Sequence, residues 1–323
     1  DRVVVVFSWL GSIPGSFITY GGLAQLTGRN VWVNGEFDYR VLAHELGHTY
    51  GLLHAGFYDV TDGNPISPNA TIIEYGDDFD TMGANFANSL ECDFNPYYKN
   101  MLGWLPDSKV QTVSSTTSGT FRLYAFDWIN WQNATNHTPM AIRCVKDGQR
   151  DYWIGIRRNF VDNPYMSHGA YVMWGFGTPG AGGGGGFQSA LLDMTSPGRP
   201  PGAGLPDDYD AALAPDVTFA DASVGLTIKP STEGANGTDA FQDILINGGG
   251  TFLVDSNYVT GGNGNGAIDF NECNDLRVQV VNHTGSPQNG LSAHLSTTTP
   301  GVLVAQPNAL YPDMPDGATN QNI

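Results

Sequence analysis

Residues 44–54 read HELGHTYGLLH, and this segment gives the strongest indication of both a fold and a site in the chain. On a helix, His44 and His48 lie four residues apart and project from one face, so both imidazoles can reach one ion. Glu45 lies beside His44, slightly rotated, where its carboxylate can meet a water on that ion without binding the ion itself. The pattern therefore predicts a helix that carries two metal ligands and a general base.

The end of the same segment supplies a third ligand. Gly51 can adopt a positive φ and end the helix sharply. The chain reversal would then bring back His54 beside the first two histidines. Three histidines leave the fourth tetrahedral position open for water, which is typical of a catalytic zinc site. A lone HExxH is often ordinary helix surface, but the added glycine and third histidine favour Zn²⁺ bound by His44, His48 and His54.

The surrounding sequence predicts an α+β fold in which the helices lie early in the chain. Residues 3–7 predict a buried strand, and residues 30–35 a strand followed by a turn. A helix is predicted from Phe37 to Leu53 with Asp38 as its N-terminal cap. A second helix is predicted at about residues 96–102.

From about residue 109 the pattern changes to short alternating strands separated by Gly, Asn, Asp and Pro, which predicts a β-sandwich. Residues 182–186 are low in complexity and predict a loop without a nucleotide-binding role. A further β unit is predicted from about residue 255, with a strand at 276–281. The expected domains are a metzincin-like catalytic domain at 1–108 whose first part is missing, a β-sandwich at 109–254, and the start of an Ig-like module at 255–323.

The zinc motif resembles that of the metzincin clan of metallopeptidases, which have a methionine turn below the metal. Met82, within residues 80–83 (DTMG), matches that turn. Within the clan, the chain is most similar to the gametolysin family, the cell-wall-lysing metallopeptidases of algae with bacterial relatives. That likeness covers roughly residues 20–230 and is carried by Tyr75–Gly83, Phe94–Leu105, Tyr152–Ile154 with Arg157 and Arg158, and Leu191–Met194. Immune inhibitor A-like peptidases share the Leu-Gly-Trp region but lack the third histidine.

The resemblance implies a secreted zinc endopeptidase that hydrolyses extracellular protein or glycoprotein, with Glu45 as the general base. We expect an extended peptide to lie antiparallel to the strand near Val31–Asn34. Tyr75, Tyr97 and Tyr98 are candidates for assisting the oxyanion, with packing as the alternative role. The chain departs from the clan in having only 43 residues ahead of His44.

Residues 262–272 resemble an EF-hand-like loop that opens Ig-like modules in bacterial secreted proteins. Asn263, Asn265, Asp269 and Glu272 would offer oxygen ligands to a structural Ca²⁺, but Gly261 occupies the position where such loops place their first ligand. A simple Asn-Gly turn is the alternative interpretation.

Composition limits the partners. The net charge of −18, from 32 acidic against 14 basic residues, repels phosphate backbones and argues against nucleic acid.

No transmembrane segment is predicted. The three cysteines lack metal spacing, and one disulfide, Cys92–Cys144, is compatible with the sequence. Secretion or cell-surface location is expected, with surface or matrix association through the C-terminal β domains. The alternative function is a non-catalytic adhesion or surface-layer protein that keeps a relic zinc site.

Overall fold

A computed structural model describes most of the chain, and every structural statement below refers to that part. The fold is α+β and largely β. The described residues are 1–35, 37–84, 91–114, 117–127, 137–177, 186–198, 206–221, 223–235, 239–248, 252–282, 287–315 and 317–323. Residues 182–185 of the predicted glycine-rich loop therefore lie outside the described part.

Three helices and nineteen strands are described. The helices are α1 (Tyr39–Thr49), α2 (Pro96–Met101) and α3 (Pro164–His168). The strands are β1 (Val3–Phe7), β2 (Gly22–Ala24), β3 (Asn30–Asn34), β4 (His54–Asp59), β5 (Thr71–Ile73), β6 (Val110–Ser114), β7 (Ser118–Tyr124), β8 (Ala141–Val145), β9 (Arg150–Gly155), β10 (Tyr171–Phe176), β11 (Phe187–Leu192), β12 (Phe219–Asp221), β13 (Leu226–Gly234), β14 (Phe241–Asn247), β15 (Phe252–Gly261), β16 (Asn274–Asn282), β17 (Ser292–His294), β18 (Asn308–Leu310) and β19 (Thr319–Gln321).

The first sheet has three strands in the order β1-β3-β2. β1 runs parallel to β3, and β2 runs antiparallel to it. Helix α1 packs on β2 and β3. The prediction that residues 3–7 form a strand is confirmed, but the prediction that this strand is buried is wrong, since Val3 to Val6 are 37–54% exposed. The physical reason is that β1 is an edge strand outside the area that α1 covers.

Helix α1 begins and ends as its sequence dictates. The Asp38 carboxylate accepts a hydrogen bond from the Arg40 amide, which satisfies one of the free N–H groups of the first turn. After Thr49 the chain leaves the helix through Gly51, whose φ of +94° favours glycine. The predicted helix and its Asp38 cap are confirmed, and the chain turns at Gly51 as expected, but the helix ends at Thr49 and not at Leu53. The second predicted helix is confirmed as α2, capped by the Asn95 side chain, which accepts from the Tyr98 amide.

The largest sheet has seven strands in the order β5-β4-β11-β10-β9-β8-β6. β4 pairs in parallel with β11, and β6 pairs in parallel with β8. This sheet takes strands from both sides of residue 108, where the sequence predicted a domain boundary. The main apolar core packs on it and contains Phe57, Phe79, Trp153, Tyr171 and Leu191 among its members.

The described residues divide into two compact units. One comprises 1–114, 120–219 and 229–245, and the other 115–119, 220–228 and 246–323. A four-stranded sheet has the order β12-β13-β14-β7. A compact unit need not coincide with a functional domain. The predicted domain boundaries at 108 and 254, and the assignment of residues 255–323 to an Ig-like module, therefore stay predictions.

In the second unit, β15, β16 and β19 form an antiparallel sheet, and the strand predicted at 276–281 is part of β16. A small core of Val280, Tyr311 and Met314 lies there.

Two further expectations concern disulfides and membranes. The predicted Cys92–Cys144 disulfide is wrong, because none of the three cysteines, all of them described, forms a disulfide. The Cys92 thiol instead donates to the Asp78 carbonyl, and Cys144 is buried in β8. Among the described helices, none combines the length and the hydropathy that crossing a bilayer requires.

Candidate metal centre

The three predicted histidines meet at one point. His44 and His48 lie on successive turns of α1, and His54 is the first residue of β4. One ligand atom from each ring lies within 4.8 Å of the others. No other set of three or more His, Cys, Asp or Glu groups in the described part of the chain converges as closely.

All three rings are held by their Nδ1 atoms, which turns the Nε2 atoms toward the common point. In each ring Nδ1 has an oxygen partner, and a neutral imidazole that donates from Nδ1 keeps Nε2 as the lone-pair atom. The partners are the Thr81 carbonyl for His44 (2.9 Å), the Leu52 carbonyl for His48 (2.8 Å) and the Glu74 Oε1 atom for His54 (2.6 Å).

The spacing of the Nε2 atoms fits a tetrahedral ion. The Nε2 atoms of His48 and His54 are 3.2 Å apart. Zn–N bonds of about 2.0–2.1 Å at a tetrahedral angle place two ligand nitrogens about 3.3 Å apart. The residues present therefore fit zinc. Three histidines also leave room for a fourth, exchangeable ligand.

Burial keeps these rings neutral, which is the form that binds a metal. Burial is the main cause that lowers the pKa of His44 to about 3 and that also lowers the pKa of His48 and His54. For His44, the neighbouring His48 lowers the pKa further.

Glu45, the predicted general base, is a buried residue of α1. It is 6% exposed, and its Oε2 atom is buried without a hydrogen-bond partner. Burial raises its pKa to about 7, in the range that suits a general base at neutral pH. A Cβ atom on Gly22 of β2 would lie 2.4 Å from Glu45 Oε1, so only glycine leaves room for this carboxylate beside the strand.

Met82 lies directly under α1. It is fully buried, and a Cβ atom on Gly47 would lie 2.5 Å from its Sδ atom. Gly83 follows it, where a side chain would collide with the Asp77 carbonyl. The helix and the turn are thus in close contact at a glycine, and the Thr81 carbonyl of the same turn holds His44.

A buried ionic network lies behind this turn. Arg157 is fully buried and lies near Asp77 and Asp80, whose charges favour its protonated form. The Tyr171 hydroxyl donates to Asp77 Oδ2, and the Met82 and Asn95 amides donate to the Asp80 carboxylate. Burial raises the pKa of Asp77 to about 6 and of Asp80 to about 8. The Tyr171 hydrogen bond ties the turn to β10.

Glu74 is a site residue that the sequence reasoning missed. It directly follows β5 and is not part of any metal-ligand motif. Only its position just ahead of Tyr75–Gly83 could have indicated it. Its side chain is 45% exposed. A Cβ atom on Gly186 would lie 2.8 Å from Glu74 Oε1, and the Gly186 carbonyl accepts from the His54 amide. The last glycine of the glycine run therefore leaves space for the His54–Glu74 pair.

The three candidate tyrosines differ in what they touch. The Tyr97 hydroxyl donates to the Phe176 carbonyl, and the Tyr98 hydroxyl donates to the His54 carbonyl. Tyr75 has a φ of +64°, and its ring centroid lies 3.7 Å from that of His54. The hydroxyls of Tyr97 and Tyr98 are thus used in packing, and only Tyr75 faces the metal ligands.

The expected substrate-binding strand is wrong. Residues 31–34 belong to β3, which pairs with a strand on each side and has no edge to offer. The edge strand beside Glu45 is β2 instead. Because the Gly21 carbonyl and the Gln25 amide bond to β3, the alternation of an antiparallel pair turns the main-chain groups of Gly22 and Ala24 away from β3.

The four candidate calcium ligands are brought together in the loop after β15. The Asn263 amide donates to Glu272 Oε1 (3.1 Å), and the side-chain amides of Asn263 and Asn265 both donate to Asp269 Oδ2. The side chain of Asn274 was not predicted. Its Oδ1 atom and Glu272 Oε2 lie 2.4 and 2.6 Å from a Cβ atom placed on Gly262, and both oxygens are buried without a hydrogen-bond partner.

Comparison with known proteins gives one short match. The chain is 40% identical over 63 residues to Serralysin G of Dickeya chrysanthemi, which is 20% of this chain and 13% of that protein. The chain thus spans about an eighth of the length of the curated relative it matches. No family model matches the sequence, and no solved structure matches it.

Proposed function

We propose that this chain is a secreted zinc endopeptidase of the metzincin type, with a catalytic region similar to that of gametolysins. The observation that carries the proposal is the convergence of ligand atoms from three histidine rings within 4.8 Å of one another, with the Nε2 atoms of His48 and His54 at tetrahedral spacing, and the buried Glu45 carboxylate on the same helix. The match to Serralysin G supports it coarsely, since a serralysin is a secreted zinc protease.

Zinc would be bound by His44, His48 and His54, and Glu45 would act as the general base. Bound zinc lowers the pKa of a water molecule and polarises the scissile carbonyl. Glu45 accepts a proton from the attacking water and later delivers it to the leaving amine. Glu74 fixes the tautomer and the orientation of His54, as second-shell carboxylates commonly do. Met82 supports the ligand helix from below.

An extended protein or glycoprotein chain would bind along the edge of β2. Gly22 and Ala24 offer main-chain donors and acceptors there, and an added antiparallel strand would satisfy them. This position brings a peptide bond past Glu45, because β2 contacts that side chain at Gly22. Tyr75, whose ring lies over His54, would assist the oxyanion.

The loop after β15 would bind a structural calcium through Asn263, Asn265, Asp269 and Glu272. Its buried Glu272 and Asn274 oxygens support this over a simple turn, because buried oxygens without partners favour a cation. Extracellular location and surface or matrix association through the C-terminal β regions belong to the same proposal.

Casein cleavage by the zinc-loaded full chain tests the proposal. We expect about one zinc per chain, with cleavage that stops after chelation and returns when zinc is added. Glu45→Gln should keep the zinc and lose the cleavage. Glu233→Gln is the matched control, since Glu233 pairs with His168 rather than with a metal ligand, and it should keep both.

Two results would contradict the proposal. Cleavage by the E45Q variant would remove Glu45 from the role of general base. Bound zinc without cleavage of any protein substrate would favour the adhesion or surface-layer alternative.

A further inference from the structure

A second group of acidic side chains lies away from the histidines, at the far end of β11. Asp193 directly follows β11, and Asp207 and Asp210 belong to a short 3-10 helix at residues 207–210. All three lie in the same compact unit. The Met194 amide donates to the Ala211 carbonyl at 3.1 Å, which places Asp193 beside Asp210.

Two of these carboxylates are buried and incompletely satisfied. Asp193 is fully buried, and Asp210 is 7% exposed. The Thr195 amide and hydroxyl both donate to Asp193 Oδ1, at 3.0 Å each. Asp193 Oδ2 and Asp210 Oδ1 are buried and accept no hydrogen bond from any of the described residues. A buried carboxylate oxygen without a donor is costly, and so is a buried charge without a counter-charge.

Protonation of a carboxylate or binding of a cation would relieve this cost, and the pH determines which of the two occurs. Burial is the main cause that raises the pKa of Asp193 to about 6, with the charges of Asp207 and Asp210 adding to it. Burial also raises the pKa of Asp210. Above about pH 7 Asp193 is therefore mostly ionised, and protonation no longer neutralises it. A cation then remains the effective partner.

We propose that Asp193 and Asp210, with Asp207 beside them, bind a calcium ion. The donors are all oxygens, which excludes a preference for zinc and favours a hard cation. Calcium accepts six to eight oxygens in irregular geometry, whereas magnesium demands a near-octahedral set, so calcium suits carboxylates that come from separate segments. Water and main-chain carbonyls supply the remaining ligands.

The carboxylates do not converge as tightly as the three histidines do, so the ion draws them together as it binds. That closure makes the affinity modest, in the range of about 10⁻⁴–10⁻³ M that extracellular calcium modules show. The bound ion links the end of β11 to residues 207–210. Ser196, just after this point, donates to the Val60 carbonyl beyond β4, so the ion braces the pair of strands that presents His54.

The test uses the full zinc-loaded chain, stripped of calcium on a chelating resin and resupplied with one equivalent of zinc. Bound calcium is counted by equilibrium dialysis, and Tm is followed from about 10 μM to about 10 mM calcium. The variants are Asp193→Asn and Asp210→Asn. Asp269→Asn is the matched control, because it makes the same change in the loop after β15.

We expect D193N and D210N each to bind one calcium fewer than the unaltered chain and to lose part of the calcium-dependent rise in Tm. D269N should keep that part of the rise. Without calcium, D193N should melt at or above the temperature of the unaltered chain, because it relieves repulsion between like charges. Equal calcium binding and an equal Tm rise in all variants would overturn the proposal. A D193N variant that is less stable without calcium, and equally responsive to it, would assign Asp193 a purely structural role.

Discussion

Removal of the Glu74 carboxylate should weaken zinc binding without altering any ligand. Glu74 Oε1 lies 2.6 Å from His54 Nδ1, a distance typical of a charge-assisted hydrogen bond. Loss of such a partner of a ligand histidine costs about 10–100-fold in metal affinity. Because the Glu74 side chain is 45% exposed, water weakens the pair. We therefore expect Glu74→Ala to raise the zinc Kd about tenfold, or about 1.4 kcal/mol.

Competition with a chromophoric chelator at pH 7.5 measures this change, with circular dichroism as a check that the variant is folded. Glu74→Gln keeps an acceptor oxygen and loses the charge, so its Kd should lie between those of the unaltered chain and E74A. Gly186→Ala should reproduce part of the loss, since its Cβ would lie 2.8 Å from Glu74 Oε1 and displace that flexible carboxylate.

Glu233→Gln is the matched control. The Glu233 carboxylate pairs with His168 at 3.0 Å in the same way that Glu74 pairs with His54, but His168 is not one of the three converging ligands. Its zinc Kd should equal that of the unaltered chain. A zinc Kd for E74A within about twofold of the original would refute the argument that this carboxylate holds the third ligand.

Three further outcomes follow from the structure. Gly47→Ala should destabilise the protein by about 1–3 kcal/mol, because its Cβ would lie 2.5 Å from Met82 Sδ. An unchanged Tm would mean that Met82 moves aside at no cost in stability. Arg157→Met should cost about 3–5 kcal/mol at neutral pH, since it leaves the ionised Asp77 carboxylate without its buried counter-charge. Urea unfolding measures this, and a gain in stability would show that Asp77 is protonated, as Asp80 is. The zinc-free protein should lose stability as the pH falls from 6.5 toward 3, because in this range His44 is protonated in the unfolded chain but stays neutral when it is buried in the folded protein. His44→Gln should shrink that acid-side fall in Tm, and an identical pH profile would contradict it.

The local parts of the site could be predicted from the sequence because short-range rules specify them. Helix α1, its Asp38 cap and the positive φ of Gly51 follow from residue type and spacing within a few turns. The position of His44 and His48 on one face of α1 follows from the same geometry, whereas the position of His54 also depends on the pairing of β4 with β11. The methionine turn at Met82 was an expectation from resemblance alone, and in the structure Met82 contacts the ligand helix at Gly47.

The non-local parts could not be predicted because they depend on strand pairing between distant segments. The Leu53 amide donates to the Gln188 side chain, 135 residues away, and β4 pairs with β11. No periodicity in either segment specifies its partner. The same limit explains why β3 was expected at an edge, why β1 was expected to be buried, and why Glu74 was missed, since its role depends on where β4 and β5 bring it.

The parallel pairing of β4 with β11 has a consequence for the order of events during synthesis. The helix that carries His44 and His48 leaves the ribosome before β11, and β4, which begins at His54, meets its parallel partner only when β11 emerges more than a hundred residues later. A nascent chain shorter than that can present only a two-histidine site, which binds zinc weakly. Assembly of the proposed metal centre is thereby delayed until the central sheet has formed.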